Sequence, residues 1–333
     1  MPKRVVDLTT QRPALDLASY GRRAPGQPRS LTAAQIAHVS RTVRHTPEVI
    51  IKVSGGARTL AGVRAHLDYI SREGNEPVET DEGIRLHEKG FENALVESWD
   101  LDLDAQRHHT QRSIAAGRKP PKLVHNLVFS MPKGTPPDKL LAAVRVFARE
   151  KFALRHRYAM AIHTDQGHPH VHVVVRAKSE HGERMNIRKT TLREWRRDFA
   201  QYLRDFGIEA NATERAVRGE VTPRMRDGIY RAMLRGESTH YHERVAAARD
   251  ARSGSAPKAD RGRDRLMATR SQVVHGWNAA GEILDEQGQG ALASMVRKFV
   301  RQMAPVRTEQ EWLAERIRGR EASISRPDPT RTR

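Results

Sequence analysis

Cysteine is absent from this 333-residue chain. Its absence excludes disulfides, thiolate metal ligands and a cysteine nucleophile, and it is compatible with a reducing compartment. The chain also contains no run of 18 apolar residues, so we expect no transmembrane helix and no membrane insertion. The first residues lack the apolar segment of a secretory signal, which favours a cytoplasmic protein.

Acidic side chains are in the minority. There are 40 Asp and Glu against 59 Lys and Arg, which gives a net charge of +19 and a pI of about 10.8. Such a balance favours a polyanionic partner, most often nucleic acid. A membrane surface is the weaker alternative, because it needs an amphipathic basic helix and usually a second anchor. The remaining alternative is a soluble protein that is basic without a polyanionic partner.

Composition divides the chain into four stretches, as expected for a length that favours two domains or one domain with extensions. Residues 1–45 form a basic N-terminal arm with a predicted short helix at Thr32–Val43. Residues 46–220 alternate strand and helix patterns, which predicts an α+β domain. Residues 221–320 are helical, polar and basic, with a flexible joint at Ser253–Lys258. Residues 321–333 form a basic tail predicted to be disordered.

Residues 163–172 hold four of the 16 histidines. The segment Tyr158–Ile162 before them predicts a strand, and the alternating pattern of 170–175 after them predicts another. Glycine and proline lie between the two, which favours a β-hairpin. His170 and His172 are two residues apart and share one face of their strand, with His163 near them across the hairpin.

Three neutral imidazoles at one end of a sheet are typical of a metal site with open coordination positions. The alternative is a group of solvated or hydrogen-bonded histidines. Asp165 is expected either to accept a hydrogen bond from a ligand imidazole or to cap the hairpin turn. His168 has no place in the three-ligand set, and is either a contact for phosphate, a proton-transfer group or a solvated turn residue.

A helix is predicted over Thr59–Arg72, with an apolar stripe at Leu60, Val63, Leu67 and Ile70. Tyr69 lies about 100° from Ile70 around the helix, off that stripe, so its hydroxyl can be free. By itself a tyrosine in this position usually serves amphipathic packing. Tyr158, the competing tyrosine near the histidines, lies within a strand and is expected to pack in the core.

The histidine motif, His163-x-Asp165-x4-His170-x-His172, resembles that of the HUH relaxases, in the mobilisation class that includes the T-DNA border endonuclease. Segments 49–56, 66–74 and 125–130 are similar to the family in the family's order, so the resemblance covers about residues 46–220. It implies a central, mostly antiparallel sheet flanked by helices, followed here by the helical C-terminal region.

The resemblance further implies a site- and strand-specific DNA-nicking enzyme, a single-strand endonuclease and strand transferase that starts conjugative transfer or mobilisation. Tyr69 would be the nucleophile that joins the 5′ phosphate. A divalent metal held by His163, His170 and His172 would bind the scissile phosphate. Mg or Mn is the expected ion in use, although imidazole ligands also suit Zn, Co or Ni.

Two further residues are candidate DNA contacts. Ser130 matches a serine of the family, with a plain strand-end serine as the alternative. Arg176 stands where the family often has an amide residue, and a phosphate contact is the expected substitute.

The resemblance implies single-stranded DNA at a plasmid origin of transfer as the substrate. It also implies accessory DNA-binding proteins and a type IV secretion coupling protein as partners, in a bacterial cytoplasm with export of the DNA-linked protein into a recipient cell. Two alternatives stay open: a rolling-circle replication initiator of the same chemistry, and a non-catalytic DNA-binding protein with a structural metal.

Overall fold

The structure is a computed structural model that describes residues 30–101, 103, 117, 120–165, 167–220, 227–250, 261–309 and 311–315. The predictions for most of the N-terminal arm (1–29), for the joint at 253–258 and for the tail at 321–333 therefore lie outside the described residues. The chain forms two compact units. One is His45–Ala212, and the other combines the residues before it with those after it.

The unit His45–Ala212 alternates strands and helices, as predicted. Its strands are β1 (Ile50–Gly55), β2 (Val78–Thr80), β3 (Arg85–Leu86), β4 (Val124–Ser130), β5 (Tyr158–His163) and β6 (His170–Arg176). The first helix of the chain, α1 (Ala33–Val43), belongs to the other unit. The helices of the unit His45–Ala212 are α2 (Leu60–Ile70), α3 (Phe91–Ser98), α4 (Pro137–Lys151) and α5 (Lys189–Asp205).

The six strands form one sheet in the order β1-β4-β6-β5-β2-β3, and every pair is antiparallel. The predicted α+β class, with an antiparallel sheet flanked by helices, is thus confirmed. The predicted hairpin is β5 and β6, in which His163 lies opposite His170.

Each face of the sheet packs on different helices. One face, with Val171, Val173 and Val175 of β6, packs on α4 and α5 around Phe147 and Phe199. The opposite face, with Val174 of β6, packs on α2 and α3. Because side chains alternate along a strand, His170 and His172 lie on the second face with α2.

The helix α2 follows its predicted pattern. Thr59 caps it, with its hydroxyl accepting from the backbone N–H of Gly62. Val63, Leu67 and Ile70 are buried in the core, while Tyr69 is 46% exposed. The prediction that Tyr69 lies off the apolar stripe is therefore confirmed.

The start of α5 differs from the prediction. Thr191 and Glu194 have the spacing of a capping box, which predicts that Thr191 caps the helix, but α5 begins at Lys189 and Thr191 lies in its first turn. The Thr191 hydroxyl accepts from the backbone N–H of Arg188 at 3.3 Å, so it stabilises the turn from within. The aromatic residues Trp195 and Phe199 of α5 are buried.

The other unit is helical in its described part. After α1 it contains α6 (Asp227–Leu234), α7 (Thr239–Asp250), α8 (Arg261–Glu286) and α9 (Gly290–Gln302). The predicted short helix is α1, which Thr32 and Gln35 cap in a capping box. The sequence had not indicated that α1 packs with α8 and α9 around Trp277, whose indole N–H donates to the Val217 carbonyl at 2.8 Å.

Across the described ranges, none of the helices combines the length and apolar character that crossing a membrane requires.

Candidate active site

Three histidines meet at one end of the sheet because of strand register. His163 ends β5, His170 begins β6 directly opposite it, and His172 follows on the same face. All three are buried, and one ring nitrogen of each lies within 4.8 Å of those of the other two. The sequence-predicted convergence of these residues is thus present in the fold.

Hydrogen bonds orient two of the three rings. Nε2 of His163 bonds the Ile70 carbonyl at 2.8 Å, so this nitrogen carries the proton and Nδ1 keeps its lone pair. Nδ1 of His170 bonds the His168 carbonyl at 3.3 Å, which by the same argument leaves Nε2 of His170 with its lone pair. Both contacts use backbone carbonyls, which hold a ligand imidazole in one orientation.

The rings are chemically suited to bind a cation. Nδ1 of His163 and both ring nitrogens of His172 are buried without a hydrogen-bond partner, which is costly unless another group binds them. Burial, helped by the neighbouring His163 and His170, lowers the pKa of His172 to about 3. Burial also lowers the pKa of His170. Neutral imidazoles with free lone pairs fit a divalent metal with further positions open to other ligands.

Tyr69 projects from the last turn of α2 beside this triad. Its ring centroid lies 5.7 Å from that of His172 and 6.3 Å from that of His163, both edge to face. The hydrogen bond from His163 to Ile70, the next residue along, ties the end of α2 to the triad. The fold therefore brings together the tyrosine and the three histidines, which are about a hundred residues apart in sequence.

Arg72 is a neighbour of Tyr69 that the sequence reasoning missed. Its guanidinium carbon lies 5.6 Å from the centre of the Tyr69 ring, and Nη2 bonds Asp165 Oδ2 at 2.6 Å. Arg72 and Glu73 both adopt left-handed backbone conformations, with φ of 52° and 58°. Each costs roughly 1 kcal/mol for a residue with a side chain, and such strain concentrates at functional sites.

Asp165 forms no hydrogen bond with a ligand imidazole among the described residues. Its carboxylate bonds Arg72, and the acceptor that orients His163 is the Ile70 carbonyl. Sequence alone could not give this, since a backbone carbonyl has no residue signature. His168 is exposed in the hairpin connection, with its ring 5.7 Å from that of His170.

The two predicted DNA contacts occupy different places. Ser130 is buried at the end of β4, directly opposite His170, so it lies beside the triad on the same face. Arg176 is at the other end of β6, about 20 Å along the strand at 3.3 Å per residue. It is buried and pairs with Glu180 at 3.2 Å, so the fold does not bring it to the triad.

His66 is a second residue that the sequence reasoning left out. It lies one turn before Tyr69 on α2, with its ring nearly parallel to the Tyr69 ring at 5.8 Å and 6.3 Å from the His172 ring. Burial lowers its pKa, so it is neutral near pH 7. The spacing of three residues on a helix was the available signal, because it places two side chains on one face.

Comparison with known proteins agrees with this arrangement. Residues 69–208 match the family described as Relaxase: MobA/VirD2-like, nuclease domain. This segment runs from Tyr69 through the three histidines to the end of α5. Residues 69–208 are thus similar to the nuclease domain of the MobA/VirD2-like relaxases.

The similar proteins include the T-DNA border endonuclease VirD2 of two bacteria. The one from Rhizobium radiobacter is 29% identical over 195 aligned residues, covering 52% of this chain and 43% of that protein. The one from Agrobacterium fabrum is 28% identical, covering 52% of this chain and 41% of its own. The chain thus spans less than half the length of these relatives.

Proposed function

We propose that this protein is a relaxase that nicks one strand of DNA at an origin of transfer and remains joined to its 5′ end. The single observation that carries the proposal is the position of Tyr69, a half-exposed phenol at the edge of a buried three-histidine cluster. The match of residues 69–208 to the relaxase nuclease domain and the similarity to an endonuclease support the proposal.

The reaction is a transesterification. The Tyr69 oxygen attacks the scissile phosphorus, an O–P bond to tyrosine forms, and the bond from phosphorus to the 3′ oxygen breaks. The departing oxygen keeps the electron pair and takes up a proton to become a 3′ hydroxyl, while the phenol proton passes to solvent. The phosphotyrosine conserves the energy of the broken ester, so the same steps in reverse reseal the strand.

His163, His170 and His172 would hold a divalent cation in this site. When bound, such an ion supplies charge that neutralises the phosphate at the reacting centre. Imidazole ligands suit Mn, Zn, Co or Ni, and phosphate oxygens in the remaining positions also allow Mg. Three protein ligands, rather than four, favour this role over a closed structural site.

The surface beside the triad suits a polyanionic strand. The strand register pairs Ile50 with Ser130 and Lys52 with Val128, on the face of the sheet that carries the three histidines. Both β1 side chains are exposed. We infer that single-stranded DNA lies across this part of the sheet. Conjugative transfer or mobilisation of a plasmid, with a type IV secretion coupling protein as partner, is the proposed context.

The proposal is tested with supercoiled DNA that carries the origin neighbouring the gene. The DNA is incubated with the protein and Mn²⁺ and then treated with detergent and protease. We expect an open-circular product with a blocked 5′ end and a free 3′ hydroxyl. Chelation and Tyr69→Phe should each abolish nicking, and Tyr158→Phe should retain it. Nicking by Tyr69→Phe, or a free 5′ phosphate in the wild-type product, would refute the proposal.

A further inference from the structure

Arg72 is the only described arginine whose guanidinium lies over the Tyr69 ring, and it adopts a left-handed backbone conformation that is uncommon for arginine. Helix α2 ends at Ile70, and Arg72, Glu73 and Gly74 follow it with positive φ angles of 52°, 58° and 86°. Glycine is common in that conformation, whereas arginine is not. A residue kept in an unfavourable conformation beside a candidate nucleophile suggests that its side chain is needed there.

Backbone and side-chain hydrogen bonds fix this turn. The N–H of Arg72 donates to the Tyr69 carbonyl at 3.3 Å, and that of Glu73 donates to the Asp68 carbonyl at 3.0 Å. The carbonyl of Arg72 accepts from the Asn75 side chain at 2.7 Å. The turn therefore directs the Arg72 side chain back over the helix end instead of away from it.

Two contacts then hold the guanidinium. One is the face of the Tyr69 ring, at 5.6 Å from the guanidinium carbon. The other is the carboxylate of Asp165, at 2.6 Å in the connection between β5 and β6. The Arg72 and Asp165 side chains are 29% and 57% exposed, so the pair lies at the mouth of the site, open to a ligand.

We propose that Arg72 is a positioning residue for Tyr69, and that Asp165 acts through Arg72 by anchoring it. The planar guanidinium stacks on the ring and limits its rotation, with the phenol held at the edge of the triad. The ion pair with Asp165 also links the end of α2 to the histidine hairpin. This inference rests on the proposed function and assigns Asp165 a partner other than a histidine.

The kinetic test uses single-turnover formation of the protein–DNA adduct at saturating oligonucleotide. Arg72→Gln should lower the adduct rate about 10-fold, equivalent to about 1.4 kcal/mol in the barrier. The dissociation constant for the oligonucleotide should change less than 3-fold. Asp165→Asn should lower the rate by a smaller factor, and Arg72→Lys should not restore it, because an ammonium cannot stack as a plane.

Arg85→Gln is the matched control. Arg85 also pairs with a carboxylate, Glu79 at 4.0 Å, but it lies on β3, away from the triad. Its substitution should leave the adduct rate unchanged. The proposal is overturned if Arg72→Gln forms the adduct at the wild-type rate, or if its defect lies wholly in the dissociation constant.

A second readout does not depend on activity. In protein labelled with ¹³C at the tyrosine rings, the Tyr69 signals are identified by their loss in Tyr69→Phe. Arg72→Gln should shift and broaden the Tyr69 signals, and Arg85→Gln should not. Unchanged signals in Arg72→Gln would overturn the positioning role, whereas a wild-type protein that forms no adduct would count against the proposed function alone.

Discussion

The three histidines differ in their hydrogen bonds. His163 and His170 are oriented by backbone carbonyls, while His172 has two buried ring nitrogens without a hydrogen-bond partner. A buried polar atom without a partner is costly, so a bound cation at His172 relieves a cost that the free protein carries. Metal binding should therefore be more sensitive to substitution of His172 than to substitution of the other two ligands.

Replacing His172 should remove metal-dependent stabilisation. With Mn²⁺ at 100 times its dissociation constant, the free energy of unfolding of the wild-type protein should rise by about 2.7 kcal/mol. Denaturant unfolding of the Mn²⁺-bound and the chelated protein measures this difference. His172→Ala should lose most of this gain. The matched control is His168→Ala, because His168 lies in the same hairpin but outside the triad. Equal losses in the two variants would contradict the ligand assignment.

At the scale of elements, the strand register decides what the site contains. One row across four strands joins His163, His170, Ser130 and Ile50, and the next joins His172, Val128 and Lys52. The exposed β1 residues thus continue the triad face to the edge of the sheet. That arrangement predicts a direction for the DNA strand, from the triad toward β1.

Lys52→Gln should weaken binding of single-stranded DNA at low salt and reduce its dependence on salt. Loss of one phosphate contact should lower the slope of log K against log salt by about 0.7. Fluorescence anisotropy of a labelled oligonucleotide between 50 and about 200 mM salt measures both. Lys139→Gln on α4, which packs on the opposite face of the sheet, should change neither value. Equal weakening of DNA binding by both substitutions would instead indicate a nonspecific effect of net charge.

The elements were predictable where periodicity was strong, and the contacts between them were not. The β5–β6 hairpin and the off-stripe position of Tyr69 follow from local patterns in the sequence. The Arg72–Asp165 pair joins residues 93 positions apart through a left-handed turn, which no local pattern encodes. The acceptor for His163 is a backbone carbonyl, which is equally invisible in sequence.

At the scale of the whole molecule, buried and half-buried histidines link stability to pH. Burial lowers the pKa of His66 and His156, that of His125 to about 4 and that of His172 to about 3. An unfolded histidine titrates near pH 6.5, so the unfolded chain binds more protons below that value. Their contribution to stability is therefore intact above about pH 6.5 and is lost as the pH falls toward 4.

Denaturant unfolding of the chelated protein at pH 7.5 and 5.5 measures this effect. The free energy of unfolding should be lower at pH 5.5, and His125 and His172, whose pKa values are lowered furthest, should each contribute up to about 1 kcal/mol after allowance for solvent screening. His125→Gln removes one such group and should lose less stability over the same interval than the wild type. A free energy of unfolding that rises on acidification would contradict the neutral state of these residues in the folded protein.

The central claim, that Tyr69 becomes linked to DNA, is tested most directly by mass spectrometry of the isolated adduct. Trypsin cleavage after Arg64 and Arg72 gives the peptide 65–72, in which Tyr69 is the single tyrosine. After nuclease trimming, this peptide should carry the mass of a nucleotide 5′ phosphate, with fragment ions that place it on Tyr69. The same mass on the peptide 158–176, which contains Tyr158, or on no tyrosine peptide, would contradict the claim.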